Sequence, residues 1–148
     1  MGVANNSMEI ARILVAARGN GVDQVAVEMA CKIGKKSKAK MFIVYVLEVN
    51  RSLPVDAIIK PDIEGAEKVL LEAEEYAQDH DFEVETEIIQ ARDVGPAIIE
   101  VARQNNIDLI VMGLTYKKRF GSFTMGNAVP HVLEEAPCRV LICREPKP

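Results

Sequence analysis

At 148 residues the chain has the length of one domain, and it can bury roughly 70% of the surface its unfolded form exposes without needing a staple. Hydrophobic residues make up 49% and charged residues 27%, the balance of a soluble globular protein. The net charge of −4 speaks against a broad nucleic-acid-binding surface. No apolar run approaches the ~20 residues of a membrane span, so no membrane insertion is expected.

The chain reads as a single domain, residues 1–148, with residues 1–9 expected to form a flexible N-terminus. That stretch is polar and lacks the apolar core of a signal peptide. Arg12-Ile-Leu-Val-Ala-Ala17 is a short continuous apolar run, suited to a strand buried on both faces. Gly19-Asn-Gly21 interrupts it. A helix follows, with Val22, Val25, Ala26, Met29, Ala30 and Ile33 expected on its core face. Met41-Phe-Ile-Val-Tyr-Val46 is the second buried run. A polar connection leads to a helix starting near Pro61, with Ile63, Ala66, Leu70, Ala73 and Ala77 as its apolar stripe.

Glu-Val-Glu-Thr-Glu-Ile-Ile-Gln, residues 83–90, alternates in part and suits an edge strand whose charges discourage aggregation. Gly95-Pro96 opens the third helix. Asp108-Leu-Ile-Val-Met-Gly113 is the third buried run. Residues 113–127 then form a basic, glycine-containing loop with Lys117-Lys118-Arg119 and two phenylalanines, Phe120 and Phe123. The last helix is expected to carry Val129, Val132, Leu133 and Ala136 and to stop at Pro137. Arg139-Val-Leu-Ile-Cys143 is the last strand. Strand and helix alternate throughout, which implies an α/β fold: a parallel sheet with right-handed crossovers and helices on both faces.

Three cysteines, an odd count, argue against a disulfide framework and for a reducing, cytoplasmic compartment. No His/Cys cluster has zinc-ligand spacing, so no metal is expected. No Ser/His/Asp set or paired-carboxylate site is evident, so no catalytic residue is assigned and an enzyme is not expected. His131 reads as structural or exposed, and Cys138, beside Pro137, as packing.

In an open parallel sheet, ligands sit beyond the carboxyl ends of the strands, where the winding direction reverses. The segments ending the first and third apolar runs are the candidates for that crevice. The chain resembles the universal stress protein family in Ile13-Leu-Val, Val44-Tyr-Val46, Gly95-Pro96, Asp108-Leu-Ile-Val-Met-Gly113 and the block from Gly126 through Ala136-Pro-Cys-Arg-Val-Leu-Ile-Cys143. The resemblance implies a Rossmann-like (adenine nucleotide alpha hydrolase-like) three-layer sandwich with a five-stranded parallel sheet of order 3-2-1-4-5.

It also implies an ATP motif of glycine, two residues, glycine, nine residues, glycine, then Ser or Thr, with an Asp after the first strand and a Val beside the adenine. In this chain those positions hold Gly113, Tyr116, Gly126, Asn127, Arg18 and Val46, which together are the candidate nucleotide or anion crevice. Gly113, Gly126 and Val46 keep the pattern and the other three depart from it. Tyr116 resists positive φ, Arg18 has donors only, and Asn127 lacks the compact hydroxyl.

Each position also has a plainer reading: Gly113 as a strand end, Arg18 as a solvated or ion-paired side chain, and Asn127 as a helix N-cap. The departures predict weak or absent ATP binding. The main expectation is therefore a stress-response regulatory and binding module without a certain cofactor. A first alternative binds ATP or AMP in a modified crevice and hydrolyses ATP slowly. A second is a regulatory partner of a membrane transporter, contacted through the basic loop. The resemblance further implies a homodimer paired through the last strand, Arg139 to Cys143, whose edge offers unpaired backbone groups.

Overall fold

The computed structural model describes residues 9–148, so most of the expected flexible N-terminus, residues 1–8, lies outside the described residues. In chain order the elements are β1 (Arg12–Ala17), α1 (Asp23–Gly34), β2 (Lys40–Glu48), α2 (Lys60–Asp79), β3 (Val84–Ala91) and α3 (Val94–Gln104). They continue with β4 (Leu109–Leu114), β5 (Lys117–Arg119), β6 (Ser122–Thr124), α4 (Ala128–Glu135) and β7 (Arg139–Arg144). The main sheet has five parallel strands in the order β3-β2-β1-β4-β7, which is the order implied by the resemblance.

The continuous apolar runs follow from burial on both faces. Along β1, Ile13, Val15 and Ala17 face the layer of α1 and α2, while Leu14 and Ala16 face the layer of α3 and α4. β4 divides in the same way, with Leu109 and Val111 on one side and Ile110 and Met112 on the other. Each such Leu, Ile or Val removed from water stabilises the fold by ~1.5–3 kcal/mol, so these two central strands anchor the sheet. Asp108 fixes their starting register, because its Oδ2 accepts the backbone N–H groups of Ala11 and Arg12, each at 2.9 Å. β3 is an edge strand, and its Glu85 and Glu87 are exposed.

The helix faces depart from the periodic reading in part. On α1 the buried residues are Ala26, Val27, Ala30, Cys31 and Gly34, whereas Val25, Met29 and Ile33 are 50%, 37% and 37% exposed. The cause is a close approach: a Cβ at Gly34 would lie 3.0 Å from both Ile13 and Ala39, so the helix turns its smallest residues to the sheet. On α4, Ala128, Val129 and Val132 are buried while Leu133 is exposed.

The expected loop after β4 is instead an antiparallel β-hairpin, β5 paired with β6. Its two turn residues, Phe120 and Gly121, both have positive φ (52° and 78°), as a type I′ turn requires. The sequence reading missed it because the turn carries Phe where Asn or Asp is usual.

Candidate functional site

The carboxyl ends of β1 and β4 meet at the reversal of the winding, and a crevice of about 110 Å³ opens beside them. β1 contributes Ala16 and Ala17, with Arg18 just past its end. β2 contributes Tyr45 and Val46, α3 contributes Val94 and Ile98, and β4 contributes Met112. Of the six residues singled out in the sequence, Arg18 and Val46 line this crevice together. Tyr45, Val94, Ile98 and Met112 were not singled out; the fold's own rule for β-strand ends was the one signal that could have found Tyr45 and Met112.

Asp23, in the first turn of α1, shapes the rim. Its carboxylate accepts the backbone N–H groups of Arg18 at 2.8 Å and Gly19 at 2.7 Å, and Gly19 adopts φ +80° to allow this. Burial pushes the Asp23 carboxyl above its usual range, with the N–H donors pulling the other way. The Arg18 side chain is exposed, and the Asp23 carboxylate feels its charge.

Gly113 ends β4 against α1. A Cβ there would lie 2.6 Å from Val22 Cγ2 and 2.9 Å from the Val22 carbonyl oxygen, so the space beside this glycine is filled by protein. Tyr116 leaves the sheet for the hairpin. Its ring stacks on Phe123 with centroids 5.0 Å apart, and the Arg144 guanidinium lies 5.1 Å from its centroid. Its backbone N–H donates to Glu145 Oε1 at 2.7 Å.

Gly126 precedes α4 at φ +70° with open space around it. Asn127 stands at the N-cap position of α4 but is exposed, and its side chain makes no capping hydrogen bond, which corrects the expected cap. Its φ of −102° and ψ of −32° are already helical, whereas a capping side chain normally reaches back from an extended residue.

His131 packs on α3, 2.9 Å from where a Cβ of Gly95 would be. Burial pushes the Cys31 thiol up to about 11 and raises those of Cys138 and Cys143, so none is a ready nucleophile at neutral pH. A larger groove of about 660 Å³ lies at the opposite end of the sheet, at the starts of β2 and β3. Its lysines are mixed with Asp81, Glu83 and Glu85, and Lys40 is already paired with Glu85 at 3.4 Å. The reversal of winding favours the smaller crevice as the site.

With this geometry established, residues 9–144 match the model of the universal stress protein family. The chain belongs to the universal stress protein family. It is similar to universal stress protein MJ0531 of Methanocaldococcus jannaschii, with 27% identity over 92% of this chain and 83% of that protein. A solved universal stress protein from Archaeoglobus fulgidus superposes with a TM-score of 0.76 at 18% identity, covering 89% of this chain and 97% of that one. The structure of the universal stress protein from Archaeoglobus fulgidus in complex with dAMP gives a TM-score of 0.72 at 18% identity, covering 90% and 98%. These likenesses show that the chain has the fold of the family.

Proposed function

We propose that this chain is a cytoplasmic, homodimeric regulatory and binding module of the stress response whose crevice does not hold ATP in the manner of the family motif. The carrying observation is at Tyr116: its backbone N–H, at a position where the motif calls for a phosphate-facing glycine, is taken by the Glu145 carboxylate. A triphosphate would have to displace that carboxylate and also approach a bulky ring. The crevice volume agrees, since about 110 Å³ falls below the ~300 Å³ at which pockets for drug-sized ligands begin.

The dAMP complex of the similar Archaeoglobus fulgidus protein favours a second reading, in which a nucleoside monophosphate enters a widened crevice. Titration calorimetry separates the two. The unmodified chain is expected to show no ATP binding at micromolar concentration, and Arg18→Asp combined with Tyr116→Gly is expected to create it. Tight ATP binding by the unmodified chain, unimproved by the double substitution, overturns the proposal.

Pairing through β7 is supported by its place at the sheet edge and by its four central residues, which are only half-buried. The other edge, β3, is guarded by exposed glutamates.

A further inference from the structure

The β5–β6 hairpin carries a side chain that the fold does not use. Phe120, at its tip, is 104% exposed. Beside it, apart from the chain neighbours, no atom lies within 4 Å of where a Cβ of Gly121 would be. Phe120 also holds φ +52°, a conformation that a bulky L-residue resists. The chain thus keeps an aromatic ring in water on a strained turn, where Asn would fold more readily. Strain of this kind, with no return inside the fold, points to a contact outside the chain.

The surroundings of the ring set the chemistry of that contact. Residues 115–127 contain three Lys or Arg and no Asp or Glu, in a chain whose net charge is −4. Lys117 and Lys118 are exposed and make no ion pair among the described residues. As neighbours on β5 they leave opposite faces of the ribbon, so a cation flanks the tip on each side. Phe123, opposite Lys118, and Met125 add exposed apolar surface. The base is fixed, because Tyr116 stacks on Phe123 and is held by Arg144 and Glu145.

We propose that the hairpin tip docks on an anionic membrane surface. The Phe120 ring enters the boundary between headgroups and acyl chains, and Lys117 and Lys118 lie among acidic headgroups. A headgroup layer surrounds an inserted tip and so meets both lysines, whereas an acidic protein surface lies against one face of a ribbon. Area points the same way. A stable protein interface takes about 20–30 residues from each partner, and the hairpin offers only residues 117–124. Three strand residues at ~3.3 Å each carry the tip about 10 Å from its base, a reach that matches the ~5–10 Å to which interfacial segments sink. One ring with a few cations makes a weak, reversible anchor. The docking is peripheral and does not depend on what the crevice holds.

The test is sedimentation of the full chain with vesicles of equal parts phosphatidylglycerol and phosphatidylcholine, against vesicles of phosphatidylcholine alone. Binding is expected to the acidic vesicles at up to ~10 mM lipid, and to be lost as NaCl rises from ~0.05 M to ~0.5 M. The chain contains no Trp, so Phe120→Trp places a single indole at the tip. Its emission is expected to shift to the blue on acidic vesicles only. Lys117→Gln combined with Lys118→Gln is expected to weaken binding by about tenfold or more. Phe120→Asn is expected to weaken it by about tenfold while relieving the turn, so that the loss cannot come from an unfolded hairpin.

Equal binding to both kinds of vesicle, unchanged binding by Phe120→Asn, or no sedimentation at ~10 mM acidic lipid each overturns the proposal. Binding without a shift of the indole emission overturns it too, since the tip then stays in water. Soluble polyglutamate that binds the chain as tightly as the acidic vesicles do overturns it in favour of an acidic protein partner. ATP titration of the unmodified chain reads the crevice alone, so the failure of this proposal and the failure of the ATP-free reading are separate results.

Discussion

At the residue scale, the motif positions have been given different work by their neighbours. Gly113 is where the two readings differ most. Its absent side chain makes room for Val22, whose backbone oxygen would lie 2.9 Å from an added Cβ and cannot rotate away. Gly113→Ala should therefore destabilise the protein by about 1–3 kcal/mol, measured by urea unfolding. Val22→Ala in the same chain should recover part of that loss, because the two Cγ methyls leave with it. A phosphate-approach role alone would predict no such coupling. Tyr116 is held at three points, by Phe123, Arg144 and Glu145, so it serves to fasten the hairpin to the end of the sheet.

At the element scale, two contacts have measurable consequences. α1 and α2 are tied by the Tyr76 hydroxyl, which donates to Glu28 Oε2 at 2.7 Å, with Lys32 adding an ion pair to Glu28 at 3.3 Å. The Tyr76 hydrogen bond, and then Lys32, hold the Glu28 carboxyl below its usual range. Its contribution to stability is thus present above the unfolded-state value and lost as pH falls through the lower folded-state value. Glu28 in turn raises the Tyr76 phenol above its ordinary 10.0, so that contribution is present below the unfolded value and lost as pH rises through the folded one. Tyr76→Phe should flatten both ends of the stability–pH profile, read by thermal unfolding across the acid and alkaline limbs.

The hairpin β5–β6 carries the opposite kind of feature, a strain. Phe120 is fully exposed at φ +52°, a conformation that costs a bulky L-residue ~1–2 kcal/mol and that Asn tolerates. Phe120→Asn should stabilise the hairpin by up to about 1 kcal/mol, seen as slower amide exchange over residues 117–124.

At the scale of the whole molecule, the fold leaves two sheet edges with unequal protection. The glutamates of β3 repel a second strand, while β7 carries half-buried Val140, Leu141, Ile142 and Cys143 between two arginines. Light scattering at micromolar concentration is expected to give about twice the chain mass of 16.3 kDa, and a monomer would remove the β7-paired dimer. The residues lining the crevice come from β1 and its end, β2, α3 and β4 and none from β7, so edge pairing at β7 would leave those residues uncovered.

Much of this was legible in the sequence because it depends on local pattern. Arg12 through Ala17 and Asp108 through Gly113 are continuous apolar runs, and such runs separated by amphipathic helices specify a parallel sheet covered on both faces. The block ending at Cys143 carried the family. Tertiary packing alone decided three things. It turned α1 so that Val27, and not Val25, is buried, because Gly34 had to sit against Ile13. It folded residues 117–124 into a hairpin whose turn residue, Phe120, has no local preference for positive φ. It also assembled the crevice from β1, β2, α3 and β4, whose side chains are far apart in the chain and meet only where the strands end. A periodic pattern records which side of an element is apolar, whereas the shape of a cavity depends on how close four elements approach one another.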